Sequence, residues 1–328
     1  MTDKLPTEGI AVPARTILPP RTISAEAAAA LEAGARAPTP PRPPIEDLGA
    51  WRAMQAAGKA MAEPGARAAL ARAHAKVETK TISGVTVHIG KSPDASAGHR
   101  ERICLFVHGG ALLFGEQWLA MAGAAKYADR LRMTVVSVDH RVPPDYPFPI
   151  PAQDCLAVYR GLLATHDPRR LAIMGVSAGG NLALAATLMA RDEGLPLPAA
   201  LALMTPEVDL TESGDLFSTN LGTDTFLKAG LGDCNLLYAG GEALDSPYVS
   251  PLFADMAGLP PTFIQSGTRD LFLSNAVRLH RKMRRAGVDA QLHVWEAMPH
   301  GGFSLQTDVP EDEEITIEAS AFLDSHLA

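Results

Sequence analysis

The segment LAIMGVSAGGNLALAA, residues 171–186, places a serine between two glycines, each two residues away. An unbroken apolar run precedes Ser177 and an alanine- and leucine-rich run follows it. Gly175-Val176-Ser177-Ala178-Gly179 therefore falls at a strand-to-helix turn. In such a turn the serine is strained and its hydroxyl exposed, and the glycines are needed because strand and helix pass too closely for side chains. A helix starting behind Ser177 supplies free N–H groups and a positive dipole end, both suited to an oxyanion. The chemistry this predicts is acyl transfer by an activated hydroxyl.

A serine of this kind takes its acid and then its histidine from loops after later strands. Of ten histidines, only His280, His293, His300 and His326 follow a plausible acid. His280 sits in the basic run VRLHRKMRRAG and His293 inside a strand, so both read as surface or packing residues. His326 falls in the last helix and is expected to be exposed. His300, in Met298-Pro299-His300-Gly301-Gly302, directly follows a strand on a loop that can present an imidazole. Asp270, three residues past PTFIQSG, is the natural acid. Asp209 is the runner-up and is expected to cap or brace an insertion. The acid would hold the imidazole tautomer and stabilise the imidazolium, while the histidine takes the serine proton. Upstream, His108-Gly109-Gly110-Ala111 follows the first central strand. The N–H groups of Gly109 and Gly110, with that of Ala178, are the candidate oxyanion donors. His108 itself reads as a bracket for the loop.

These residues need elements to carry them. Apolar runs at 103–108, 133–140, 171–175, 200–204, 261–267 and 290–298 alternate with helical patterns near 117–131, 152–165, 178–192, 274–286 and 312–327. Unbroken apolar strands separated by helices predict a mostly parallel sheet covered on both faces. VETKTI and VTVHIG, joined by Ser83-Gly84, read as a hairpin before it. The interval from about Pro206 to Pro251 breaks the alternation and reads as an insertion over the sheet's C-terminal edge, where such folds bind ligands. Residues 1–46 are rich in proline and alanine, with one helical island at 25–35, and a second helix is expected from Leu48 to Arg72. Neither could bury its apolar face alone, so both should pack onto the later domain. No internal repeat is evident.

The bulk properties exclude other classes. The 328 residues carry a net charge of −8, which draws the chain neither to nucleic acid nor to anionic lipid. Three cysteines are too few and too scattered for a disulfide framework. Cys104 and Cys155, inside apolar runs, read as buried thiols, and a reducing compartment fits. The first twenty residues lack the apolar core of a secretory signal, and the stretch 178–190 is too short to cross about 30 Å of hydrocarbon. A cytoplasmic protein with no membrane partner is expected. No HExxH, cysteine cluster or GxxxxGK[ST] occurs, which argues against a zinc enzyme and a nucleotide binder.

Taken together, HGGA at 108–111, DHRVPPDYPFP at 139–149, GVSAGG at 175–180, SGTRDLFLS at 266–274 and PHGGF at 299–303 resemble the hormone-sensitive-lipase-like branch of bacterial α/β-hydrolases. The resemblance covers about residues 80–328. It implies the α/β-hydrolase fold with a helical cap, and a serine carboxylesterase acting on short- to medium-chain esters without cofactor or metal. The domains would be an N-terminal cap region at 1–75 and a catalytic domain at 76–328, with a cap insertion at about 206–250. Phe226, Leu227 and Trp51 are candidates to line the roof of the acyl pocket, and Ala111 the alcohol side, where a glycine-alanine run leaves room for bulky alcohols. Three departures bear on substrate preference: Ala111 where a third glycine is commoner, Val176 where Asp or Thr is usual, and Ser274 where an acid often sits. A lactone hydrolase would use the same three residues. A ligand receptor that had lost catalysis would lack one of them, and all three are present. Family members often form homodimers, and no interface signature decides that here.

Overall fold

The computed structural model describes residues 9–10, 12–303 and 308–328. The part of the proline- and alanine-rich reading that falls on residues 1–8 and 11 lies outside them. Two helices, α1 (Ala25–Arg36) and α2 (Leu48–Arg72), precede a hairpin of β1 (Lys76–Ile82) and β2 (Val85–Lys91). Then come α3 (Ala97–Arg100), β3 (Ile103–Val107), α4 (Trp118–Leu131), β4 (Thr134–Val138), α5 (Ile150–Leu163), β5 (Leu171–Val176), α6 (Ala178–Asp192) and β6 (Ala200–Met204). Two short helices, α7 (Leu216–Thr219) and α8 (Gly232–Ala239), lie in the insertion, and β7 (Thr262–Gly267), α9 (Leu273–Arg285), β8 (Ala290–Trp295) and α10 (Pro310–His326) close the chain.

The eight strands form one sheet in the order β1-β2-β4-β3-β5-β6-β7-β8. β1 and β2 are antiparallel, β2 is antiparallel to β4, and the remaining neighbours are parallel. Side chains alternate faces along a strand, so each unbroken apolar run supplies two cores. Leu105, Val107, Ile173, Leu201 and Leu203 point to one side, where they meet Leu156 and Tyr159 of α5, Leu182 of α6 and Leu279 of α9. Cys104, Phe106, Met174, Ala202 and Met204 point to the other, against Leu131 of α4 and Ala319 and Leu323 of α10. The three cysteines are free and buried.

The N-terminal helices divide their work between these layers. Ala27 and Leu31 of α1 enter the second core. Ser24 accepts the Ala27 N–H as the helix cap while its own hydroxyl donates to Glu311 of α10 at 2.8 Å. α2 packs along α4, and Trp51, fully buried in the first core, donates its indole N–H to Pro44 O at 3.1 Å. Among the described residues no helix is long and apolar enough to cross a membrane.

Candidate active site

Parallel strands end together, so the loops leaving them meet at one edge. Val107 pairs with Gly175 and with Val138, and Gly267 with Trp295. The HGGA loop after β3, the serine turn after β5, Asp270 after β7 and His300 after β8 therefore converge on the C-terminal edge.

Ser177 has φ 57° and ψ −124°, a conformation L residues rarely adopt and one that costs about 1–3 kcal/mol and persists only where its surroundings fix it. Here Ser177 N–H donates to Met204 O at 2.8 Å, while Ser177 O accepts from Gly180 N at 2.8 Å and Glu207 N at 3.2 Å. A Cβ on Gly175 would collide with the backbone of Gly179, and one on Gly179 with the carbonyl of Val107. Both glycines of the motif are therefore set by close backbone approach.

The half-buried Ser177 hydroxyl stands 2.7 Å from Nε2 of His300, and Nδ1 of His300 stands 2.9 Å from Oδ1 of Asp270. Asp270 is fully buried, and its carboxylate accepts from the Ser266 hydroxyl at 2.7 Å and Phe272 N–H at 2.8 Å. A carboxylate so held accepts from Nδ1–H, which leaves Nε2 free to accept from the serine. Burial disfavours the charged imidazole, but the charge and hydrogen bond of Asp270 outweigh it. Asp224 and Glu207 add to this, and His300 sits above the ordinary histidine pKa. The ring packs edge-on against Phe272, with centroids 4.7 Å apart.

Gly109 lies against the serine: a Cβ there would stand 3.1 Å from Ser177 Cβ. Among the described residues, no backbone or side-chain acceptor engages the N–H groups of Gly109 and Gly110. Ala178 N–H, in the first turn of α6, has no intrahelical acceptor. The loop is braced from outside the site. Gln55 of α2 donates to Leu113 O and Pro143 O, at 2.7 and 2.5 Å, and Asp139 accepts Gln117 N–H at 2.8 Å. His108 stacks on His140 at 4.3 Å and hydrogen-bonds Gly109 O at 2.8 Å. Burial pushes both rings below the usual histidine pKa, His140 to about 3, so both are neutral brackets.

The other sequence candidates find different places. Asp209 is buried and accepts from Thr211, Ser213 and Arg278, bracing the insertion. His280 bonds Ala290 O, and His293 packs on Phe263 beside Glu318. His326 is half-buried on Phe322, where the sequence reading expected exposure; the last turn of α10 lays it on that ring. Phe226 is 60% exposed with its ring 6.2 Å from His300, and Leu227 is half-buried against the core. Trp51 lies inside the core. Ala111 also packs against that core, with φ 52°. Ser274, where an acid is commoner, accepts Leu216 N–H at 3.1 Å.

Three residues near the site escaped the sequence reading. Ser266 is four residues before Asp270, and its apolar strand disguised it. Glu207, 1% exposed behind the serine turn, is pushed by burial up to about 8. Asp224 lies in the insertion, and its partners are 47 and 76 residues away as well as local. Among the described residues no cluster of three His, Cys, Asp or Glu side chains could hold a metal.

The family model for the alpha/beta hydrolase fold matches residues 104–304. An acetyl-hydrolase of Streptomyces hygroscopicus is 32% identical over 224 residues, which span 68% of this chain and 75% of that protein. The crystal structure of an esterase called E25 superposes with a TM-score of 0.88 at 32% identity, covering 98% of this chain and 99% of that one. An esterase from the bacterial hormone-sensitive lipase family superposes at 0.78 with 30% identity, over 93% and 99% of the two chains. The protein is thus a carboxylic ester hydrolase of α/β-hydrolase fold. Within that class the chain belongs to the hormone-sensitive-lipase-like esterases.

Proposed function

We propose that the protein is a serine carboxylesterase that cuts short- to medium-chain esters through an acyl-enzyme, with Ser177 as nucleophile, His300 as base and Asp270 as its orienting acid. The observation that carries this reading is the continuous path from Ser177 Oγ to His300 Nε2 at 2.7 Å and from His300 Nδ1 to Asp270 at 2.9 Å. As Oγ bonds to the ester carbon, its proton passes to Nε2 and the carbonyl electron pair moves onto oxygen. The N–H groups of Gly109, Gly110 and Ala178 face that oxyanion, a contribution worth about 3–4 kcal/mol per donor in comparable sites. Collapse breaks the bond to the alcohol, which leaves with the proton from His300. Water, deprotonated by the same nitrogen, then releases the acid.

The insertion at about 206–250, with Phe226 beside the imidazole, and the 1–75 segment, with Gln55 on the HGGA loop, act as a cap over this catalytic domain. Phe226, with its ring 6.2 Å from the imidazole, leaves little room above the serine, which suits small acyl groups, and the acetyl-hydrolase among the relatives agrees with that. Rates over an acyl-length series of p-nitrophenyl esters test the reading. Turnover should peak at short to medium chains, and a rate that climbed through C12 and beyond would contradict it.

A further inference from the structure

Asp224 is 1% exposed and accepts four backbone hydrogen bonds on one carboxylate. Oδ1 takes the N–H groups of Phe226 and Leu227, each at 2.9 Å. Oδ2 takes Leu271 N–H at 2.9 Å and His300 N–H at 3.1 Å. Three separate segments, the cap loop, the acid loop and the histidine loop, therefore close on one side chain. Asn220, in the same turn, adds its amide to Thr268 O at 3.0 Å and Asp270 O at 3.3 Å.

We propose that Asp224 is a positioning residue for the hydrolysis, fixing the backbones that carry His300 and Asp270 in register with the cap and adding a negative charge behind the imidazole. The inference rests on the Ser177–His300–Asp270 reading above. Its geometry suits only a carboxylate. Asp224 faces four donors and no acceptor, so each oxygen must accept twice, as an ionised carboxyl can. An asparagine would turn one NH2 against two N–H groups. Burial raises the Asp224 pKa, and the charge of His300 opposes this, so carboxylate and imidazole sense one another.

The charged and titratable groups acting on His300 are Asp270, Asp224 and Glu207. Removing the Asp224 charge therefore takes away one of the charges that raise the imidazole pKa. In Asp224→Asn, kcat/KM for p-nitrophenyl butyrate should fall ~10²-fold, the scale expected when reacting groups shift by about 1 Å. The acid limb of the pH profile should also move to lower pH. A brace with no electrostatic role would lower the melting temperature and leave that limb in place. Asp224→Glu, which keeps the charge, should hold the limb near its parental position even if the rate falls. An unmoved limb in Asp224→Asn would overturn the proposal. Ser177→Ala, assayed beside these variants, separates the two readings. Turnover surviving there would refute the nucleophile, whereas an unmoved Asp224→Asn limb with Ser177→Ala inactive would refute the role of Asp224 alone.

Discussion

At the scale of residues, a serine hydroxyl is a poor nucleophile until a base takes its proton, and in the proposed mechanism His300 does so only while neutral. Asp270 is buried, and among the described residues its ion-pair partner is His300, so its charge falls mainly on the imidazole. That raises the resting pKa and, in the proposed mechanism, would stabilise the imidazolium as well. The sign follows directly. A base with a raised pKa remains protonated to higher pH, so activity is lost as pH falls through that value. The acid limb of kcat/KM should therefore be centred above 6.5, the ordinary histidine value. A pH–rate profile on a substrate with a pH-independent leaving group checks it, and a midpoint well below 6.5 would contradict the assignment. That Ser177, His300 and Asp270 would meet at one edge was legible in the sequence, because each follows a recognisable strand. Glu207 and Asp224 were not. Their roles come from burial and from contacts made across the fold, and nothing in their local sequence separates them from ordinary loop acids.

The elements explain how a strained site persists. The insertion leaves and rejoins the sheet through one side chain: Asn181 of α6 donates to Glu207 O and to Val249 O, each at 2.9 Å. Asn275 of α9 accepts from Val208 and Asp209 beside it. The HGGA loop carries its own strain, with Ala111 at φ 52° and Leu112 at φ 62°. The sequence reading assigned Ala111 to the alcohol side on grounds of room, and the backbone adds a second constraint. A left-handed alanine costs about 1–2 kcal/mol that glycine avoids, and a β-branched residue fits this conformation still less well. Ala111→Val would therefore disturb the loop for every ester and cannot isolate the room argument. Ala111→Gly can. It should raise the melting temperature slightly, keep n-butyl acetate turnover, and keep slower hydrolysis of tert-butyl acetate. Loss of tertiary-ester activity in this variant, or none in the parent, would end the idea of a roomy alcohol side. Strand and helix positions were readable because period and apolar runs are local properties. Dihedral strain at Ala111 had no such signature, since nothing in HGGALLFG distinguishes a left-handed alanine from an ordinary one.

At the scale of the whole molecule, the mostly parallel sheet brings residues 108, 177, 270 and 300 to one edge, and a core packs against each of its faces. The N-terminal segment is divided between two surfaces. α1 is pinned to α10 through Ser24 and Glu311 and enters the core on the far face, while α2 reaches the HGGA loop through Gln55. The sequence showed that both helices needed a partner surface but could not show that they would choose different ones, because that depends on where the chain's last helix lies. One hydroxyl among all those of the folded chain should be activated, and the intact protein can be asked directly. Incubation with a p-nitrophenyl organophosphate, followed by intact mass and peptide mapping, should give one adduct per chain, on Ser177, with activity lost in proportion to labelling. An adduct on any other residue, or full inactivation with Ser177 unmodified, would contradict the assignment of Ser177 as nucleophile.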